Sequence, residues 1–127
     1  RETLEQLDGY KKAVISNKRE YLSVKLLNKL NLLDFFNMVV GSDTTSEKKP
    51  SAIPILHVIE KFEVGSQESI IVGDSNYDIE AGRKAGIKTI AVTYGYGEKE
   101  YLMNADYIID RFKDLPAILD IISSKLI

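Results

Sequence analysis

The sequence predicts an α/β fold, a Rossmann-like doubly wound parallel sheet. Three observations carry this. Five short runs are apolar without clean alternation, as strands covered on both faces are. Helical patterns lie between them, which implies right-handed crossovers. Conspicuous polar groups follow directly after the apolar runs, where ligands bind in open α/β sheets.

The elements follow in order. The stretch Arg1 to Leu7 reads as a helix feeding the first strand, Ala13–Ser16. Glu20 to Leu30 reads as a helix with Leu22, Leu26, Leu27 and Leu30 on one stripe. Met38–Gly41 is the second strand, and Ser42 to Lys48 a polar loop. Ser51 to Phe62 carries Ile55, Leu56, Ile59 and Phe62, with Ser51 as N-cap. Ser69–Gly73 is the third strand. A short helix, Asp78 to Ala85, ends at Gly86. Thr89–Thr93 is the fourth strand, Glu98 to Asn104 a further helix, and Tyr107–Asp110 the fifth strand. Leu115 to Leu126 closes the chain, starting near Pro116, with Ile118, Leu119 and Ile122 inward.

The totals bound the rest. At 127 residues, positions 1–127 read as one domain with a real core. Apolar residues make up 44% and charged residues 28%, which argues against disorder. The formal charge is −2 and no basic block exceeds two residues, so nucleic acid is not an expected partner. No apolar run approaches the roughly 18–20 residues of a membrane span. Arg1 to Lys12 is too polar for a signal peptide. With no cysteine there are neither disulfides nor cysteine zinc sites, and the expected location is cytoplasmic. The chain starts without Met on a helical stretch, as an excised piece does.

The strand ends hold the chemistry. Ser16-Asn17-Lys18 follows the first run. Gly41-Ser42-Asp43 and then Lys49-Pro50 follow the second. Gly73-Asp74-Ser75-Asn76-Tyr77-Asp78 ends the third, and Thr93-Tyr94-Gly95-Tyr96-Gly97 the fourth. A hydroxyl, a lysine, two carboxylates and a glycine-rich loop at one rim suit a phosphoryl group held beside a hard cation. Asp74 and Asp78 on a short turn suit Mg²⁺, which takes one or two protein carboxylates; alternatively, Asp78 caps its helix and Asp74 serves the turn. Ser16 and Asn17 offer donors to a phosphate oxygen, or an ordinary N-cap for the next helix. Lys49 is a point charge suited to phosphate, or a solvated surface lysine. His57, mid-helix among apolar residues, reads as structural. There is neither a serine-hydrolase triad nor a Walker-type loop.

The order Ala13-Val14-Ile15-Ser16-Asn17-Lys18, then Lys49-Pro50, then Gly73-Asp74-Ser75-Asn76-Tyr77-Asp78-Ile79-Glu80-Ala81-Gly82 resembles motifs two, three and four of haloacid-dehalogenase-like hydrolases. Ala85-Gly86-Ile87 and Thr93-Tyr94-Gly95-Tyr96-Gly97 resemble the phosphoglycolate phosphatase branch. The resemblance runs from Thr3 to about Leu119.

It implies a Mg²⁺-dependent phosphomonoesterase acting on a small phosphorylated metabolite. Ser16 and Lys49 would be catalytic. Ser16, the backbone of Asn17 and Lys49 would hold the phosphoryl group. Asp74 would ligate Mg²⁺, and Asp78 would orient that shell, through water or by holding Lys49. In the family an aspartate of a first Asp-x-Asp motif becomes an aspartyl-phosphate, which water then hydrolyses. That motif is absent from this sequence, as is the helical cap that follows it. The family's first strand sits between the strands ending at Ser16 and Asp74. The expectation is therefore a core lacking its first strand, with a gap between those two, inactive by itself. The missing upstream segment or another chain would be its partner. Phosphoglycolate leads as substrate, with pyrophosphate and sugar phosphates behind. A catalytically silent phosphate- or partner-binding domain is the alternative.

Overall fold

The computed structural model describes residues 2–93 and 103–124. Its helices are α1 (Glu2–Gln6), α2 (Glu20–Lys29), α3 (Ile53–Phe62), α4 (Asn76–Ala85) and α5 (Leu115–Ser124). Its strands are β1 (Ala13–Ile15), β2 (Met38–Val40), β3 (Ile70–Gly73), β4 (Lys88–Val92) and β5 (Tyr107–Ile109). Short 3₁₀ turns at Leu33–Phe35, Ser66–Glu68 and Phe112–Asp114 link them. The expected Glu98–Asn104 helix and the Tyr94–Gly97 loop fall on or beside residues 94–102, which lie outside the described residues.

All pairing is parallel. β1 lies beside β2, with Ala13 opposite Met38 and Ile15 opposite Val40. β3 pairs with β4, Ile70 opposite Lys88, and β4 with β5, Ile90 opposite Tyr107. The two ladders do not join, and β1 and β3 share no ladder. Burial follows this pairing. β4, with a strand on each side, buries Thr89, Ile90, Ala91 and Val92. β1, with one neighbour, leaves all three residues half-buried, and β3 leaves Ile70, Ile71 and Val72 so.

The period of two in each strand sorts the two faces. Ile70 and Val72 of β3 join Ile90, Val92 and Ile109 on one face, against Leu7, Leu115, Leu119 and Ile122. Ile71 and Ile15 point the other way, against Ile55 and Ile59 of α3 and Ala81 of α4. The sheet is thus covered by α5 on one side and by α3 and α4 on the other. Gly82 allows the close seating of α4, since a Cβ there would lie 2.6 Å from side-chain carbons of Ile71 and Thr89. Gly86 then stops the helix at φ +75°, a backbone state that costs glycine nothing. Asp106 ties β4 to the approach of β5: its carboxylate accepts the Thr89 N–H at 2.9 Å, and its own N–H donates to Thr89 Oγ1 at 3.0 Å.

Three local expectations are corrected. The leucine stripe of α2 is not its packing face: Leu22, Leu26 and Leu30 are 41%, 45% and 55% exposed, whereas Ser23 is buried. The helix enters so close to β2 that a Cβ on Gly41 would lie 2.1 Å from the Glu20 nitrogen, so a small residue faces inward there. Leu56 on α3 is 47% exposed, because Ile55 and Val58 take the inner face. Helix α3 starts at Ile53, two residues after Ser51. The Ser51 hydroxyl still orders the entry, accepting the Ile53 N–H at 3.1 Å and donating to Glu47 Oε1 at 2.7 Å. No helix among the described residues is long and apolar enough to cross a membrane.

Candidate active site

The polar residues gather at the carboxyl ends of β1 and β3. Lys49 reaches in from the segment between β2 and α3. Its ammonium donates to the Ile15 carbonyl, the last of β1, at 2.7 Å, and pairs with Asp78 Oδ1. Both side chains are largely hidden, 11% and 8% exposed. Burying a charge is costly unless it is paired and hydrogen-bonded; here each partner provides that for the other.

Asp78 is used on both oxygens. Oδ2 accepts the Asp74 backbone N–H and the Ser75 hydroxyl, each at 3.2 Å. The carboxylate lies flat against Gly73, where any Cβ would come within 2.2 Å of the Asp78 Cβ. The glycine that ends β3 therefore makes room for the counter-ion of Lys49.

Beside this pair lie two less committed groups, and Lys49 itself keeps a donor in reserve. The Asp74 carboxylate is half-buried and takes no hydrogen bond among the described residues. Ser16 Oγ accepts the Lys18 N–H at 3.0 Å, which leaves its own hydrogen to donate. Lys49 has three N–H groups and two partners, leaving one. Two spare donors and a carboxylate without a hydrogen bond can together hold an anion alongside a cation.

The Asn17 side chain is bonded to the segment that carries Lys49. Its Nδ2 donates to the Lys49 carbonyl at 3.1 Å, and its Oδ1 is buried without a partner. Nor does it cap α2. That task belongs to Asp43, which sequence reasoning placed only in a loop. Asp43 Oδ1 accepts the Glu20 N–H at 2.8 Å, and Arg19 Nε lies 3.7 Å from its other oxygen. The Glu20 N–H bond is the largest influence and holds the Asp43 carboxyl below the ordinary aspartate range against desolvation, with Asp43's own N–H and then Arg19 as lesser contributors. The signal available in the sequence was an Asp just after the second strand, but nothing there linked it to a helix starting at Glu20.

Hard oxygen donors test the fit to Mg²⁺. Asp74 fits, as one free carboxylate on a rigid turn. Asp78 is engaged with Lys49 and the turn, so it orients rather than offers a spare oxygen. No group of three or more acidic or histidine side chains clusters among the described residues. His57 is half-buried on α3 and belongs to none of this. A groove of about 570 Å³ along α2, lined by Glu20, Tyr21, Val24, Lys25, Asn28, Leu33 and Asp43, includes neither Ser16, Lys49 nor Asp74.

A lysine–aspartate pair, a hydroxyl and a carboxylate thus lie where parallel strands end. The family model for haloacid dehalogenase-like hydrolases matches residues 1–92, and the chain belongs to that family. Among curated relatives it is 43% identical over 120 residues to a phosphoglycolate phosphatase of Aquifex aeolicus, covering 93% of this chain and 56% of that protein. It is 44% identical over 102 residues to one of Chromobacterium violaceum, covering 80% and 46%. Among solved structures, a predicted phosphoglycolate phosphatase of Haemophilus somnus superposes with a TM-score of 0.86 at 32% identity, over 93% of this chain and 54% of that one. The chain thus spans about half the length of the relatives it matches.

Proposed function

We propose that the whole protein is a Mg²⁺-dependent phosphomonoester hydrolase, and that this chain supplies its electrostatic half. The observation that carries this reading is the Lys49 ammonium, fixed between the Ile15 carbonyl and Asp78 with one N–H left over. Lys49 and the Ser16 hydroxyl bind and orient the phosphoryl oxygens, offsetting their charge as phosphoryl transfer requires. Asp78 keeps Lys49 in place. Asp74 would hold Mg²⁺, which when bound would add further charge neutralisation at the same oxygens. In this reading the attacking aspartate comes from upstream of residue 1: its carboxylate displaces the ester's alcohol to form an aspartyl-phosphate, and water then cleaves that bond, releasing phosphate and the carboxylate.

Phosphoglycolate is the leading substrate, on the names of the relatives; pyrophosphate and sugar phosphates follow. In this reading residues 1–127 are one core domain, substrate choice rests with a cap outside this chain, and the protein is cytoplasmic. Among the described residues, β1 and β3 each pair on one side only and are half-buried, which suits a further strand between them.

The test is titration of the ¹⁵N-labelled chain with orthophosphate, with and without Mg²⁺. Shifts should concentrate at Ser16, Asn17 and Lys49, and Mn²⁺ in place of Mg²⁺ should broaden Asp74 first. Phosphate shifts scattered over surface lysines, sparing Ser16 and Lys49, would sink the reading. Binding there by a full-length protein that turns over no phosphomonoester would instead favour a silent phosphate-binding domain.

A further inference from the structure

We propose that Asn17 is a positioning residue that acts through Lys49. The proposal rests on the reading of Lys49 as the phosphoryl-binding cation.

The end of β1 grips Lys49 twice. The Ile15 carbonyl takes the ammonium at 2.7 Å, and two residues later Asn17 Nδ2 donates to the Lys49 backbone carbonyl at 3.1 Å. One end of the lysine is held by its charge and the other by its main chain. A lysine has a long stem with many rotamers to lose. Pinning its backbone by a residue of the same strand end fixes the origin of that stem relative to the carbonyl that receives its tip.

One alternative for Asn17 is already taken. The N-terminus of α2 is served by Asp43. Nδ2 gives one of its two N–H groups to Lys49, and the buried Oδ1 beside it is an acceptor, which a phosphate oxygen would avoid. Turning the amide over would not help, because Oδ1 would then face the Lys49 carbonyl, acceptor against acceptor. The amide therefore stays in the orientation that leaves a buried oxygen unpartnered. Such an oxygen normally costs stability, and the bond to Lys49 is what the orientation secures.

The experiment follows the Lys49 ammonium by ¹H–¹⁵N NMR in the 127-residue chain, alongside orthophosphate binding. Wild type should show a slowly exchanging ammonium signal, assigned by its loss in Lys49→Arg. Asn17→Ala should keep the folded amide spectrum, lose that signal to exchange, and bind phosphate ~10-fold more weakly, the effect of about one hydrogen bond. Asn17→Asp, isosteric but without the donor, should lose the ammonium signal too. Persistence of the signal in both folded variants would overturn the proposal. So would its absence from wild type. Unfolding of both would as well, by making Asn17 a residue of general stability. A wild type that binds no phosphate but loses its ammonium signal in both variants would reject the phosphate reading and leave Asn17 as the positioner of Lys49.

Discussion

Lys49 and Asp78 are 29 residues apart in the chain and meet as a hidden ion pair between the ends of β1 and β3. The pair joins the two ladders where no strand hydrogen bonds do. Removing one partner leaves a buried charge uncompensated, which typically costs about 3–5 kcal/mol. Asp78→Ala should destabilise the chain by an amount of that order in urea unfolding. Adding Lys49→Met should recover part of the loss, because no charge then remains to be buried. Strictly additive costs in the double-mutant cycle would show that the two side chains do not depend on each other.

Gly73 is predicted to be intolerant of any side chain. A Cβ there meets the Asp78 Cβ at 2.2 Å, whereas one at Gly9 meets nothing within 4 Å. Gly73→Ala should therefore cost about 1–3 kcal/mol, as overpacking does, and displace Asp78 from Lys49. Gly9→Ala should stay within about 0.5 kcal/mol of wild type. Equal unfolding midpoints for the two variants would contradict this.

Asp43 should make stability depend on pH in the acid range. Its carboxyl is held below the ordinary value, chiefly by the Glu20 N–H, so the unfolded chain takes up its proton first as pH falls. The stabilisation is complete above the unfolded value, near pH 3.9, and is lost as pH drops through the lower folded value. Asp43→Ala should lower the melting temperature at pH 7, and the gap to wild type should narrow below about pH 4. A gap that is the same at pH 7 and pH 3 would mean that the cap does not titrate.

The chain alone should hydrolyse no p-nitrophenyl phosphate with Mg²⁺, since the proposed nucleophile is not among its residues. Turnover that disappears in Asp74→Asn would move the nucleophile to Asp74 and reverse the roles assigned here.

The strands were legible because a buried strand must be apolar over its own few residues. Every expected strand is present with ends moved by at most one residue, as in Ala13–Ser16 against Ala13–Ile15. The types of group at the strand ends were equally plain. The packing face of α2 was not. Its leucine period shows where the apolar residues lie, but the close approach at Gly41 decides which side turns inward.

What the chain determined by itself is what neighbouring residues settle among themselves: periodicity, the turn at Gly86, a hydroxyl or carboxylate placed just past a strand. It also placed Ser16, Lys49 and Asp74 each at a strand end or on a segment leading from one. Only the tertiary structure decided which of them touch. The Asp78 carboxylate had the choice of capping its helix, ligating a cation or meeting a lysine. Packing brought Lys49 across from another crossover to within bonding distance, and a buried carboxylate takes the nearest charge that replaces its lost water. The same holds for Asn17 and Asp43, whose partners lie 32 and 23 residues away. No pattern of spacing encodes a bond of that length, because its geometry is set by how the helices seat on the sheet.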